Sequence, residues 1–360
     1  MKHLSKYRLN LLSLSVLLIF FLLNGCGGAS SGNSSAGSGT SGSGGKSGAA
    51  GINGRLVMSN SWDDPHFVSL FSVDIKAGNA QNIDVLGVGH GPNIGADGSI
   101  IYVQKCQPIY NNRLVIVDRK GLVTPVSSCS NRIFNPPDST QGGYNYISPK
   151  FSPDQKKIAV SLITTNMFAE TVYPIVAVFD RDDVDIQEDL TKLPSVKLYR
   201  GYNAFAWKPD GSLLLIGSGW PMVDYHGDPL KDYPTIKPGI YVTDKNLNNP
   251  VRIENKINSP VFRPDVNKAG TKVTYHSNNN IFIMDLATGT PKKIRAITKG
   301  KLAYTPVWSP NGKYIAYAQR EEYEGYYSSL FFYELSSKKI IEIPIGKEVS
   351  APLSWITIPK

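Results

Sequence analysis

Chemistry in this chain would have to come from histidines, carboxylates or cysteines, and the spacing of each type limits what it can do. Four of the five histidines, His66, His90, His226 and His276, lie beyond the first few residues. Neutral imidazoles brought together could hold a transition metal, but no two of these stand at the short interval that specifies a site by itself. A lone loop histidine is more often a solvated or hydrogen-bonding side chain. Asp63, Asp64, Asp224, Asp228, Glu321 and Glu324 could supply the two carboxylates of a glycosidase, a role decided by a separation of roughly 5–10 Å that a sequence does not contain. No G-x-S-x-G nucleophile elbow is present. No cofactor is expected.

Whatever these residues do depends on the elements that place them, and those elements repeat. Thr305 to Ala318 reads T-P-V-W-S-P-N-G-K-Y-I-A-Y-A: a short strand, a tight turn and a second strand. Related stretches are Val261-Phe262-Arg263-Pro264-Asp265 through Gly270, Ala206-Trp207-Lys208-Pro209-Asp210-Gly211, and Lys150-Phe151-Ser152-Pro153-Asp154. Weaker copies are Ile94-Gly95-Ala96-Asp97-Gly98 and Ile52-Asn53-Gly54. Proline presets the backbone angle for such a turn, and Asn or Asp followed by Gly tolerates the positive angle that closes it. The β-branched and aromatic flanks suit strands.

A second signal follows each turn, an extended run ending in an acid at the next bend: Asp74, Asp118, Asp180, Asp244, Asp285 and Glu334. Short apolar runs such as Leu122 to Val126, Val251 to Ile253 and Ile340 to Ile343 add a fourth strand. Turn positions at 54, 98, 154, 211, 270 and 312 recur at the scale of four-stranded propeller blades, whose usual spacing is roughly 40–50 residues, with longer intervals where loops intervene. The fold class predicted is all-β, a six-bladed propeller of antiparallel four-stranded blades. Its first unit lacks a first strand, and Ala351-Pro352-Leu353-Ser354-Trp355 resembles the missing one. Pairing of Pro352 to Trp355 with Arg55 to Ser59 would close the ring and remove an open sheet edge.

The strings S-P-N-G-K-Y-I-A-Y and M-D-L-A-T-G resemble the repeats of TolB-like six-bladed propellers, over roughly residues 51 to 360 and more strongly in units three to six. The resemblance implies a periplasmic or secreted scaffold that binds proteins or ligands, without chemistry of its own. TolB carries a small α/β domain before its propeller and this chain has no room for one, so a Tol-Pal role is in doubt. Propeller lyases of pectin fragments are similar in using several channel-facing histidines to hold a metal. A carbohydrate-active lyase or hydrolase is therefore the alternative function.

The N-terminus reads as an address. Lys2, Lys6 and Arg8 precede an apolar run from Leu9 to Leu23, too short to span a bilayer comfortably and suited to a signal peptide. Leu22-Leu23-Asn24-Gly25-Cys26 resembles the bacterial lipobox, with Cys26 as the lipidated residue and Asn24 a less usual choice. Gly27 after the cysteine suggests, by the rule of Gram-negative lipoproteins, the outer membrane, facing the periplasm or the surface. Gly27 to Gly51 is nearly pure Gly, Ser and Ala, a composition that stays disordered, with a mean reach of about 25–30 Å. The expected division is 1–25 signal peptide, 26–51 tether and 52–360 propeller. The only helical candidate, Val184 to Leu193, is expected to form a loop or one turn.

Net charge is +9, three units of which leave with the leader, and no basic cluster exceeds two residues. That pattern means weak attraction to anionic surfaces, with no nucleic acid partner. Cys106 follows the second strand of the second unit and Cys129 its fourth. Strands two apart lie about 10 Å from each other, so a bridge requires both residues to bend inward in their loops. An up-down meander puts the strand-two-to-three loops and the inter-blade connections at one end of the ring, with the Pro-Asp-Gly turns at the other. The first end collects the length and the aromatic rings: Trp62, Asp63, Asp64 and His66; residues 164–173; Trp220, Tyr225, His226 and Tyr233; Tyr323, Tyr326 and Tyr327; and, near them, His90 and His276. Amphipathic rings and carboxylates on loops of a rigid scaffold are the usual material of recognition sites. The predicted function is binding of a protein or cell-envelope polymer by a monomeric, lipid-anchored propeller.

Overall fold

The computed structural model describes residues 51–59, 69–106, 112–129, 144–164, 174–183, 193, 195–219, 236–253, 260–286, 294–296, 302–320, 327–349 and 351–357. These form six four-stranded antiparallel sheets arranged as a propeller. The second blade is β4 (His90–Ile94), β5 (Ile100–Lys105), β6 (Asn112–Val117) and β7 (Val123–Pro125). The third is β8 (Tyr144–Phe151), β9 (Lys157–Thr164), β10 (Ile175–Asp180) and β11 (Lys197–Arg200). The fourth is β12 (Tyr202–Trp207), β13 (Leu213–Gly217), β14 (Gly239–Val242) and β15 (Val251–Ile253). The fifth is β16 (Phe262–Val266), β17 (Lys272–Ser277), β18 (Asn280–Asp285) and β19 (Ile294–Ala296). The sixth is β20 (Leu302–Trp308), β21 (Tyr314–Arg320), β22 (Tyr327–Glu334) and β23 (Ile340–Val349).

The first blade joins both ends of the described chain: β1 (Gly54–Ser59), β2 (Ser69–Lys76) and β3 (Asn79–Val88) are completed by β24 (Ala351–Ile356) as the innermost strand. Leu56 faces Trp355 and Val57 faces Ser354 across that pairing, the closure the sequence predicts. Trp355 is buried in one cluster with Leu56 of the first blade and with Val307 and Phe332 of the sixth. Its ring lies edge-on to Phe332 with centroids 5.4 Å apart.

Each blade is covered on both faces, so its middle strands are apolar without alternation, as in the fully buried β13. The period of two shows instead in which neighbour a residue meets. Leu213 and Leu215 pack toward the third blade, whereas Leu214 and Ile216 pack toward the fifth. A cluster of this kind fills every junction around the ring. No sheet could bury these faces alone, and stacking removes the apolar area from water at about 25 cal/mol per Å².

The turns closing the first hairpin of each blade are of the predicted kind, with Gly98, Gly211, Gly270 and Gly312 at positive φ and Gln155 holding that conformation in the third blade. Asp97, Asp154, Asp210 and Asn311 each accept the backbone N–H two residues on, at 2.9–3.1 Å. Three local readings are corrected. In the fifth blade Arg263-Pro264-Asp265 is not the turn but part of β16; the turn is Asn267 to Gly270, where Asn267 Oδ1 accepts the N–H groups of Thr271 and Lys272. Asp74 does not end its strand: β2 continues to Lys76, and Asp74 is buried in an ion pair with Arg55 at 2.6 Å. Ile52-Asn53-Gly54 closes no first hairpin, because the partner strand arrives from the other end of the chain. Asn53 Oδ1 instead accepts the Ala77 N–H at the β2–β3 turn.

Cys106 and Cys129 form a disulfide with Cα atoms 5.8 Å apart. After β7 the chain folds back along β6, where Val126 N–H donates to Leu114 O and Ser127 Oγ accepts from Leu114 N–H, and this return brings Cys129 to Cys106. Closing a loop of that length stabilises by about 3 kcal/mol in the chain-entropy account. Cys26, the leader and tether, and residues 184–192 lie outside the described residues.

Candidate functional site: the channel mouth at the long-loop end

The innermost strands β24, β4, β8, β12, β16 and β20 ring the axis, and every one of them carries a bulge. In four blades the bulge is an X-Pro pair placed seven residues before the residue that closes the turn at positive φ. These pairs are Gly91-Pro92, Ser148-Pro149, Arg263-Pro264 and Thr305-Pro306, each with its first residue at positive φ. Proline removes a ladder donor and disfavours the helical region for the residue before it, which is why a bulge recurs here. The bulges of the second and third blades nearly touch: a Cβ on Gly91 would stand 3.0 Å from Ser148 N. Glycine is favoured there by close approach to backbone, whereas serine, arginine and threonine tolerate the same backbone in the other blades.

Two residues past each X, the side chain can stitch its blade to the next. Asn93 Oδ1 accepts the Phe151 N–H at 3.0 Å and Asp265 Oδ2 the Trp308 N–H at 2.8 Å; in the first blade Ser354, just past the bulge of β24, accepts through Oγ from Ile94 N–H and Asn93 Nδ2. Lys150 occupies this position in the third blade and has no acceptor to offer. Its ammonium reaches to the fifth blade, donating to Pro264 O at 3.2 Å and lying 3.8 Å from Asp265 Oδ1. The Arg263 guanidinium makes the reverse crossing and donates to Ser148 Oγ. The two cations therefore link blades three and five past blade four.

Burial shapes the charge of this cluster. It pulls Arg263 down to about 10, so the guanidinium stays charged at neutral pH. It also pulls the Lys150 ammonium below its usual range, against Asp265, and pushes the Asp265 carboxyl up, against Lys150 and the Trp308 N–H. Protein surrounds this pair, yet 20% of the Lys150 side chain and 29% of that of Asp265 remain accessible, so both line a channel instead of dry core. Wherever their proton rests, Lys150 and Asp265 cancel, which leaves the positive charge of Arg263.

His276 lies on β17 opposite Phe262 and next to the turn into β18. Its ring stacks on Phe262 at 5.2 Å and meets Tyr304 edge-on at 5.4 Å. Burial first, and then the charge of Arg263, lower its pKa to about 4, so it is neutral at pH 7. Its Nδ1 is buried with no hydrogen-bond partner, as are Thr305 Oγ1 and Asn203 Oδ1 at the bulges of the sixth and fourth blades.

The meander puts this cluster at the end where Ser218 N–H donates to Gly201 O and Ser277 Oγ to Pro260 O, each a bond between a strand-two-to-three loop and an inter-blade connection. Of the residues the sequence assigns to this face, His276 is placed there with its side chain, and His90 and Tyr327 are placed as strand positions at the ends of β4 and β22. His90 and His276 belong to the second and fifth blades, on opposite sides of the ring. Trp62, Asp63, Asp64, His66, Trp220, Tyr225, His226, Tyr233, Tyr323 and Tyr326 lie outside the described residues. Among the described residues no three His, Cys, Asp or Glu side chains come together as a metal cage. Sequence reasoning passed over Lys150, Arg263, Asp265 and Thr305; the X-Pro pair at fixed distance before each turn is the signal that marks them.

No family model matches the sequence. No curated protein matches it either. Solved structures do: TolB from Acinetobacter baumannii superposes with a TM-score of 0.57 at 19% identity, over 84% of this chain and 66% of that one. A chain of hydrazine synthase from Kuenenia stuttgartiensis gives 0.52 at 11% identity, over 84% and 46%. An oligogalacturonate lyase in complex with manganese gives 0.46 at 12%, over 80% and 73%. At such identities the likeness is one of fold, and the chain has a TolB-like six-bladed propeller fold. It spans about two thirds of the TolB chain it resembles.

Proposed function

We propose that the chain is a lipid-anchored scaffold of the Gram-negative cell envelope that works by binding, with a protein or an envelope polymer held at the long-loop end of the propeller. Residues 1–25 direct export, Cys26 carries the lipid, and residues 26–51 tether the propeller to the outer membrane. The Cys106–Cys129 disulfide supports an oxidising compartment. The observation that carries the reading is the contrast between the ends of the ring. Among the described residues the hairpin-turn end satisfies most of its polar groups locally, Gln155 Oε1 excepted, while the channel mouth holds an exposed Phe262, a surplus charge and the unpartnered buried atoms of Asn203, His276 and Thr305. Concave sites that combine apolar walls with a few converging polar groups are ordinary binding sites.

Cross-linked capture from envelope fractions tests this, using the intact chain and a variant in which residues 220–235 are replaced by a short Gly-Ser linker. The expected result is a partner recovered with the intact chain and lost with the variant, both melting at the same temperature. Equal recovery of every partner would sink the assignment of the long-loop end.

A further inference from the structure

We propose that the channel mouth contains an oxyanion subsite in which the Arg263 guanidinium, flanked by Ser148 and Thr305, engages a carboxylate or phosphate group carried by the bound partner. This rests on the binding reading above and names the chemistry its ligand must bring.

The fold does not need arginine at this bulge. The equivalent positions hold Gly91, Ser148 and Thr305, all with similar backbone and none with a charge. An arginine here therefore has a use beyond shaping the strand. Its hydrogen bond among the described residues goes to a neutral hydroxyl, Ser148 Oγ, and no described carboxylate forms an ion pair with it. Asp265, two residues on, is already engaged by Trp308 N–H and Lys150. A guanidinium presents five N–H donors in a planar fork that matches carboxylate and phosphate oxygens, and one hydroxyl leaves most of that fork free.

A second observation is independent of this charge. Thr305, at the matching bulge of the sixth blade, is 93% buried by its 7% exposure, and its hydroxyl has no partner. A hydroxyl can donate to an oxyanion, and so can the neutral imidazole of His276, whose Nδ1 is likewise unpartnered. Phe262, 39% exposed and stacked on His276, gives the group bearing the anion an apolar platform at the rim. Buried polar groups are normally paired, and a ligand that supplies the missing acceptor satisfies them together.

The test uses the full-length chain and the imidazole C–H resonance of His276, identified by its loss in His276→Gln. Acetate and inorganic phosphate are titrated separately at constant ionic strength against wild type, Arg263→Thr and Arg263→Lys. Threonine is the residue the sixth blade carries at this position, so the fold tolerates it, and unchanged thermal melting checks that. The expected result is a saturable shift in wild type, weakened at least tenfold in Arg263→Thr and less in Arg263→Lys. Tighter saturation by acetate identifies a carboxylate partner and tighter saturation by phosphate a phosphorylated one. Absence of saturation with both anions, or equal saturation in Arg263→Thr, overturns the subsite. Partner capture that survives such a result leaves the binding reading standing, and capture that fails while the titration succeeds removes that reading alone.

Discussion

At the hairpin-turn end of the ring, Asp97, Asp154, Asp210 and Asn311 repeat one device: a side-chain oxygen accepts the N–H two residues on, and a nearby serine hydroxyl donates to the same side chain. At the bulge end the positive-φ backbone repeats in four blades, but the side chains on it differ: none at Gly91, a hydroxyl at Ser148 and Thr305, and a guanidinium at Arg263. The difference separates two demands on a repeat. Where backbone and side chain recur together, the turn needs both. Where only the backbone recurs, the fold fixes the position and leaves the side chain to something else. The Asp154 carboxyl shows the first case, held below the usual range by the Ser152 hydroxyl and, against slight desolvation, by the Lys156 N–H. Arg263 shows the second.

The largest expected effect sets these ends directly against each other. Asp265→Ala removes the acceptor of Trp308 N–H and the counter-charge of Lys150 in one step. Removing one partner of a buried pair is costly, and with part of this pair accessible the loss should be about 3 kcal/mol. Asp210→Ala, which removes only local contacts, the two bonds from Ser212 and a partly exposed ion pair with Lys208, should cost about 1 kcal/mol. Urea midpoints at neutral pH measure both. Equal losses would mean that the channel pair is no more consequential than a surface turn.

A pH scan sharpens the comparison from the side of His276. Its folded pKa, about 4, lies below the unfolded value near 6.5, so between those values the unfolded chain binds a proton that the folded chain refuses. Stability should therefore fall as pH drops from 6.5 to 4, by about 2 kcal/mol after allowing for partial exposure of the ring. Asp265 acts in the opposite sense, because a carboxyl whose pKa is raised on folding favours the folded state as pH falls. The difference between wild type and His276→Gln isolates the histidine. A variant whose stability tracks wild type across this range would show that His276 titrates as a solvated side chain.

The architecture was legible because propeller blades write their turns into sequence. Asp-Gly and Asn-Gly fix a backbone angle locally, and the spacing of those pairs counts the blades. Closure by Pro352 to Trp355 was legible for the same reason, since the last stretch repeats an opening that the first unit lacks. The fifth turn was legible at Gly270, but Arg263-Pro264-Asp265 imitates the Pro-Asp of that turn and belongs to the strand before it; what distinguishes them is the seven-residue interval from Arg263 to Gly270. The channel mouth was not legible. Whether Lys150 meets Asp265 depends on how inner strands two blades apart face one another across the axis, a distance with no trace in local pattern. The burial that keeps His276 neutral likewise comes from Phe262 and Tyr304, on two other strands.

The smallest effects give the comparison its sharpest form, because they should differ in sign. Asn311→Ala leaves the Lys313 N–H and the Ser309 hydroxyl without their acceptor at an exposed turn, where water replaces part of the loss. The cost should be about 1 kcal/mol. Thr305→Val at the bulge exchanges a buried, unpartnered hydroxyl for a methyl of nearly the same size and keeps β-branching at the same backbone angle. With no bond to lose and a desolvation cost removed, it should stabilise the unliganded protein by up to about 1 kcal/mol. If differential denaturation shows Thr305→Val destabilising as much as Asn311→Ala, then the threonine hydroxyl is held in the unliganded ring and the contrast between the two ends fails at the position where it is most exposed to test.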